Sequence, residues 1–284
     1  MRALGAMGGA MSVAMIVALL VAFAAGPAHA QGHAQTQGVV EQAPDQARWH
    51  GPFGGFFSAS FTVVSDYSFA GISQTNRQPA FQPSFGYRTP SFSETFKSWA
   101  YLNVWASNIN FAGVGDSIEV DLSGGLKWRM LDNRLSFDLG YVRYLYPGVP
   151  AQFAYEYGEF YLTATYDFGF ASLSGRVRHS PNAFADSGSE WNGRGLLSVP
   201  LPFLRVNEDI AFKIYGSLGN QSVERFLNYG LPSNDYWFWQ LGLVVSAYGL
   251  DITVAYTDTS IDVSGCGNTN NCAGRVLLGI TKSF

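Results

Sequence analysis

The sequence is short of charge. Only 13% of its 284 residues are Asp, Glu, Lys or Arg, about half the ~25% usual in soluble domains. A soluble domain so poor in charge has few ways to wet its surface. There is no run of Lys or Arg, and the formal net charge is −4, so nothing points to a nucleic-acid partner. Beyond residue 25 no segment reaches the ~20 consecutive apolar residues of a membrane helix, which excludes a helical membrane protein once the N-terminal stretch is removed. Histidine is scarce: four in all, and His29, His33 and His50 have no metal-ligand partners in sequence. Gly-x-Ser-x-Gly, Walker and His-Glu-x-x-His patterns are absent. No cofactor or metal is expected.

Aromatics are plentiful at 15%, with 22 Phe, 15 Tyr and 7 Trp beside 32 Gly. Mean hydropathy is nonetheless only +0.04. Alternation reconciles the two facts, with apolar side chains facing lipid and polar ones facing a lumen. From about residue 53 the period-two pattern persists to the end. In 118–129, Ile118, Val120, Leu122, Leu126 and Trp128 share one face, while Glu119, Asp121, Ser123, Lys127 and Arg129 share the other. Twelve such segments are expected, near 56–72, 79–88, 98–109, 117–130, 135–147, 157–168, 171–180, 191–202, 210–222, 235–248, 250–260 and 274–284. The fold expected is therefore all-β, a transmembrane antiparallel up-and-down β-barrel of about twelve strands. Connections after even strands include the tight turns 131–134, 169–170 and 249. Those after odd strands are mostly longer: 110–116, 148–156, 181–190, 223–234 and 261–273. Short periplasmic turns alternating with long external loops are the habit of bacterial membrane barrels. The stretches 73–78, 89–97 and 203–209 depart from it.

Residues 1–30 read as a signal peptide. Arg2 is the positive end, 11–25 an unbroken apolar stretch, and Ala28-His29-Ala30 a cleavage site. Residues 31–52, rich in Gln, Ala and Gly at their start, read as a flexible periplasmic segment, and 53–284 as the barrel. Cys266 and Cys272 flank a polar turn. An oxidising compartment favours a disulfide there over a metal pair, which no second pair or nearby His supports. Trp99 with Tyr101, Tyr144 with Tyr146, and Trp237 with Trp239 are read as interfacial girdles. Phe284 closes an amphipathic last segment, Val276, Leu278, Ile280 and Lys282 sharing its face. A terminal aromatic of this kind resembles the signal read by the barrel-assembly machinery, although Lys282 stands where an apolar residue is usual.

One stretch goes beyond class. Residues 62–75 read TVVSDYSFAGISQT, followed by VWASNINF at 104–111 and His179-Ser180-Pro181-Asn182-Ala183-Phe184. This resembles the TorF family of porins, also designated Gcw_chp, a group of exported bacterial proteins. The match spans roughly 58–284, carried by Ser65, Asp66, Tyr67, Phe69, Gly71, Ile72, Ser73 and Gln74. The resemblance implies an outer-membrane barrel and a pore, with no known substrate and no catalytic site. On physical grounds the same residues are either a buried network tying the first strand to the lumen or closing strand, or a solute-binding patch. Gly71 suits a bulge or a close backbone approach.

The alternation sends Glu119, Asp121, Lys127, Arg129, Asp138, Glu159, Arg176, Arg178 and Lys213 inward. These are the candidate pore-lining and selectivity residues. Facing acids and bases could select permeant solutes or form salt-bridged plugs. The first functional reading is a channel for passive diffusion of small solutes. The second is a closed structural or adhesive barrel acting through its external loops. The third is an outer-membrane hydrolase, which would need His179, the one barrel histidine, and its neighbour Ser180 faces the other side of a strand. The expected partners are outer-membrane lipid, the assembly machinery and small solutes. The oligomeric state is not legible.

Overall fold

The computed structural model describes residues 49–284 apart from Glu94, Ala112 and Glu208. The expected signal peptide and most of the segment after it, residues 1–48, lie outside the described residues. Twelve antiparallel strands form one closed barrel. They are β1 (Phe56–Val64), β2 (Ala80–Arg88), β3 (Trp99–Phe111), β4 (Gly115–Met130), β5 (Leu135–Leu145), β6 (Tyr157–Asp167), β7 (Ser172–Ser180), β8 (Glu190–Pro200), β9 (Ile210–Val223), β10 (Asp235–Ala247), β11 (Leu250–Thr259) and β12 (Arg275–Ser283). Each pairs with its sequence neighbours, and β1 closes the ring against β12, with Val64 opposite Gly279 and Ser60 opposite Ser283. The closing seam is tied on every side. Thr62 and Thr281 share a hydroxyl hydrogen bond of 2.9 Å inside. Phe61 and Phe284 meet edge-on outside at 6.2 Å. Phe284 and Ala59 exchange backbone hydrogen bonds of 2.8 and 3.2 Å.

Strand alternation sorts the side chains. Leu102, Leu122, Phe160, Leu218, Leu241 and Leu278 stand on the outer surface, all of them exposed. So large a continuous apolar band suits hydrocarbon and not water. Strands of nine to sixteen residues are long enough to cross a bilayer when tilted. No helix among the described residues is long and apolar enough to do so.

One rim, beside the described chain ends, carries tight turns. Leu131, Asp132 and Asn133 all adopt positive φ, and the Tyr248–Gly249 pair does likewise, as hairpin connections matching strand twist require. The opposite rim carries the longer connections 65–79, 146–156, 181–189, 224–234 and 260–274, the fifth holding the disulfide Cys266–Cys272.

Two expectations fail here. The first strand was to run to residue 72, but β1 stops at Val64, because the polar side chains that follow leave the wall for partners inside the barrel. The 65–79 connection is therefore long, which removes the 73–78 exception. The β3–β4 connection, expected at 110–116, shrinks to 112–114, because both strands carry their pairing up to Phe111 opposite Gly115.

The core of this barrel is its lumen. Buried side chains project inward from every strand, and the largest apolar cluster joins Tyr67, Trp105, Ile109, Tyr144, Tyr157 and Ala183 near the loop rim. Close packing against the wall demands glycine at particular points. A side chain at Gly140 would meet the Tyr161 hydroxyl at 2.5 Å, and one at Gly242 would meet the Tyr215 ring at 2.5 Å. In both cases a cross-strand tyrosine lies over the bare backbone.

Candidate functional site

The segment after β1 folds into the lumen instead of standing above it. Ser68–Phe69 pairs with Ile72–Ser73 in a two-residue ladder. Ala70 and Gly71 turn it with φ of 45° and 84°, the geometry of a tight hairpin turn. Gly71 sits where nothing larger fits: an added Cβ would lie 2.4 Å from Thr259 Cγ2 and 3.0 Å from Phe238 Cβ. The tip residues Ala70 and Ile72 pack against the buried cluster of Val223, Leu231, Tyr236, Phe238, Ile261 and Cys272, as do Phe226 and Tyr229 of the short helix α1 (Phe226–Tyr229).

Polar contacts hold this hairpin from below. Asp66 accepts hydrogen bonds from the hydroxyls of Ser73 at 2.6 Å and Thr75 at 2.7 Å. Its other oxygen receives Nε of Arg275, the first residue of β12, in a buried ion pair. Arg275 also donates to the carbonyls of Gly71 at 2.9 Å, Asn271 at 3.2 Å and Ala273 at 3.4 Å. Tyr67 packs its ring on Trp105 at 5.3 Å and donates its hydroxyl to Glu119 at 2.7 Å. Phe69 lies under the Arg178 guanidinium at 5.3 Å and meets Tyr144 edge-on. Ser65 exchanges hydrogen bonds with Leu278 of β12, and Gln74 passes its carbonyl to the Asn110 amide at 2.8 Å. Residues 65–75 thus link β3, β4, β7 and β12 across the mouth.

The inward charges fall into two layers. In the loop-side layer, Arg178 donates to Glu159 at 3.3 Å and to the Tyr144 hydroxyl at 3.1 Å, while Tyr144 donates to Glu159 at 2.6 Å. Glu119, Asp121 and Glu190 lie in the same electrostatic group. Glu159 and Glu190 are both 0% exposed. A water-filled column would wet such residues, so the lumen is packed at this level. Loops 181–189 and 224–234 cover it, joined by Arg225 donating to the Asp186 carbonyl at 2.7 Å and to Asn182 at 3.1 Å. On α1, burial first, then the nearby Glu190 carboxylate, pushes the Tyr229 hydroxyl well up from its ordinary value.

In the turn-side layer, Tyr101 donates to Asp138 at 2.7 Å and shares a short hydrogen bond with Tyr161. Lys127 pairs with Asp138 at 3.4 Å. Arg194 donates to Ser217 at 2.8 Å and to Gln240 at 3.2 Å, directly across from Arg176. Lys213 shares the inward parity of Tyr215 and Ser217 on β9 and is half-buried. Arg129 stands exposed at the turn rim over the Trp99 ring.

The girdle expectation needs correction at three residues. Tyr101, Tyr144 and Tyr146 are buried inside the barrel, because their hydroxyls find acidic partners there that lipid does not offer. Trp237 does lie on the outer surface. His179 and Ser180 are not brought together. The His179 ring stacks on Trp191 at 4.2 Å with Nδ1 near the Glu190 carbonyl, and Ser180 is buried on the opposite face. Phe284 stands partly exposed against Phe61, with the Lys282 ammonium 5.9 Å above its ring. Among the described residues no group of three or more His, Cys, Asp or Glu is placed to hold a metal ion.

Sequence reasoning missed Arg275, Glu190, Arg194, Gln221 and Tyr236 as members of these layers. Strand parity carried a signal for all five. Glu190 and Arg194 share that of Asn192 on β8, Gln221 that of Lys213 on β9, Tyr236 that of Gln240 on β10, and Arg275 that of Thr281 on β12.

The family profile described as "Bacterial protein of unknown function (Gcw_chp)" matches residues 47–284. The chain belongs to the Gcw_chp family. A search of curated proteins returns no sequence match for this Gcw_chp chain. Among solved structures it is similar to the KdgM porin, at 10% identity and a TM-score of 0.48, covering 80% of this chain and 99% of that one. It is also similar to an outer-membrane channel from Pseudomonas putida, at 9% and 0.47, covering 86% and 100%. A third is LpxR from Salmonella typhimurium, at 10% and 0.44, covering 80% and 99%. These are likenesses of barrel architecture and say nothing of what this Gcw_chp protein carries or converts.

Proposed function

We propose that this protein is an outer-membrane channel for small solutes whose mouth is closed by the inward hairpin at 65–75. The observation that carries the reading is the origin of the obstruction. The wall is complete without these residues, since β1 already pairs with β2 and β12 on both edges. A closure built from a connection can lift away while the strand pairing of the wall stays intact. In this reading residues 1–30 are a cleaved export signal, 31–52 a periplasmic lead-in and 53–284 the barrel. The turn rim faces the periplasm and the long connections face outward. Lipid surrounds the apolar band, Phe284 is read by the assembly machinery, and no catalytic step is assigned. Glu119, Asp121, Lys127, Arg129, Asp138, Glu159, Arg176, Arg178 and Lys213 then act as selectivity groups along the path.

One observation favours a second reading, a permanently closed barrel acting through its outer loops. Glu159, Gln221 and Glu190 are 0% exposed and belong to the wall itself, so lifting the hairpin must also loosen the layer beneath it. Planar-bilayer conductance of the refolded mature protein decides between the two. Discrete, reproducible openings support the channel. Stable insertion with no openings, in the wild type and in a variant lacking residues 66–75, supports the closed barrel.

A further inference from the structure

We propose that the turn-side half of the lumen is a blind vestibule that binds small organic carboxylates on the guanidiniums of Arg194 and Arg176. This names a solute class for the proposed channel and rests on that reading only for passage. Binding itself needs neither conduction nor movement of the hairpin.

The exposure of the inward side chains marks out the space. On β6, Glu159 and Tyr161 are buried, whereas Thr163 and Thr165, nearer the turn rim, are partly exposed. On β7, Ser180 and Arg178 are buried, whereas Arg176 and Ser174 are partly exposed. On β4 the inward series ends in a partly exposed Lys127 and an exposed Arg129. A side chain that points away from lipid meets solvent only inside the barrel, so water enters from the turn rim along β4–β7 and reaches Arg176. The other side is filled, because Leu196, Tyr215, Val244 and Ala255 form a buried apolar cluster beside β8–β11. The packed loop-side layer closes the inner end. Arg194, partly exposed on β8, stands where the wet and filled sides meet.

The cations at this inner end want an anion. Arg176 stands directly opposite Arg194, and like charges so placed repel. A guanidinium cannot relieve this by losing a proton. Among the described residues Arg194 bonds through Nη2 to Ser217 and Gln240, both neutral, and its Nε has no partner. No carboxylate lies on β7, and none on β8 beyond Glu190. Those on neighbouring strands are engaged. Glu159, within electrostatic reach of Arg176, is bound to Arg178 and Tyr144. Asp138 shares a row with Arg176 but lies across Thr163, two strands away, roughly 10 Å at ~4.8 Å per strand. It is held by Tyr101 and Lys127. A carboxylate entering from the turn rim supplies the missing charge and matches the planar guanidinium fork. Its hydrocarbon lies against Leu196, the next inward residue of β8 and part of the apolar cluster. Inorganic phosphate has nothing to place there.

The test is calorimetric titration of the refolded mature protein, in a neutral detergent at neutral pH, with n-butyrate, n-butyramide and inorganic phosphate. Saturable one-site binding of butyrate is expected, at least about tenfold tighter than the uncharged amide. Arg194→Gln should weaken it by at least about tenfold while keeping the heat-modifiable gel migration of a folded barrel, since it also removes a like-charge contact. Absence of saturable heat, equal affinity for butyrate and butyramide, or unchanged affinity in Arg194→Gln overturns the proposal. Phosphate binding as tightly as butyrate overturns the assignment to organic carboxylates. Should Arg194→Gln not refold, Arg176→Gln decides on the same criterion. Butyrate binding by a protein that never conducts keeps the site and removes the channel. Conductance without butyrate binding does the reverse.

Discussion

Neutralising Asp66 should release the hairpin. Asp66→Asn keeps the shape of the side chain and two hydroxyl donors, Ser73 and Thr75, but removes the countercharge of Arg275. Both partners are buried, at 7% and 5% side-chain exposure for Arg275 and Asp66, so solvent does little to screen the loss. Breaking one side of a buried pair costs about 3–5 kcal/mol. Arg275 retains three carbonyl acceptors, which offset part of that and leave roughly 2–3 kcal/mol. The whole of it falls on the closed state, because an opened Arg275 is hydrated in either variant. The closed-to-open ratio should therefore drop roughly 30- to 150-fold. Two assays read it. In bilayers the open fraction of Asp66→Asn should rise by that factor until it saturates. By hydrogen exchange, the amides of Gln74 and Arg77, bonded inside the folded segment, and of Ser73, bonded to the Asn271 carbonyl, should lose protection by a similar factor while the β6–β9 ladders keep theirs. Protection of those three amides within about threefold of wild type would refute the claim that this ion pair holds the hairpin down.

Three further outcomes follow from the same geometry. Leu278→Arg, at the middle of β12 on the outer face, should destabilise the bilayer-inserted barrel by about 2–4 kcal/mol, measured by reversible denaturant unfolding in lipid. A change below ~0.5 kcal/mol would place that face away from hydrocarbon. Reducing Cys266–Cys272, which closes a segment with a sequence separation of six, should cost about 2 kcal/mol locally. Faster exchange in 260–274 with unchanged heat-modifiable migration is expected, and loss of the barrel itself would contradict it. Asp262 lies in that loop, its carboxylate held below the ordinary aspartate range first by the Gly265 amide and then by the Ser264 hydroxyl. Because the folded value is the depressed one, its contribution to loop order is complete above the ordinary value near ~3.9 and fades as pH falls through the folded value. The Gly265 amide resonance should titrate with a midpoint below ~3.9, and a midpoint at or above it would show that the contact is not made in solution.

The wall was readable because a strand reports itself locally. On β11, Leu250, Ile252, Val254 and Tyr256 alternate with Asp251, Thr253, Ala255 and Thr257. The observed strand keeps that parity, with Ala255 and Thr257 buried and Val254 and Tyr256 exposed. Every side chain on such a strand has one of two addresses, so a single well-marked residue fixes the rest. The same rule would have caught the girdle error. Asp138 has inward parity, and counting by twos from it along β5 reaches Val142 and Tyr144, both buried. Parity outweighs residue type at these positions, because an aromatic with a hydroxyl is as much at home beside a buried carboxylate as at a lipid headgroup.

The hairpin obeys a different logic, which is why the alternation runs eight residues past the end of β1 at Val64. Residues 65–72 alternate well enough to continue β1, and nothing local in Ser65-Asp66-Tyr67-Ser68 says that the chain turns inward. What ends the strand is a partner at sequence separation 209, Arg275, joined by Glu119 at separation 52. An aspartate left on the wall at that point would keep hydration but strand Arg275 at the head of β12. Folded inward, it satisfies the guanidinium and two hydroxyls at once. The choice is therefore made by which arrangement leaves fewer buried charges unpaired, a comparison that no window on the sequence contains. The hairpin is thus held by a few long-range polar contacts, by the packing of Tyr67 and Phe69 and by a ladder of only two residues. In the proposed channel such a segment moves as a unit while the strand pairing of the wall is kept, and neutralising one carboxylate tests it.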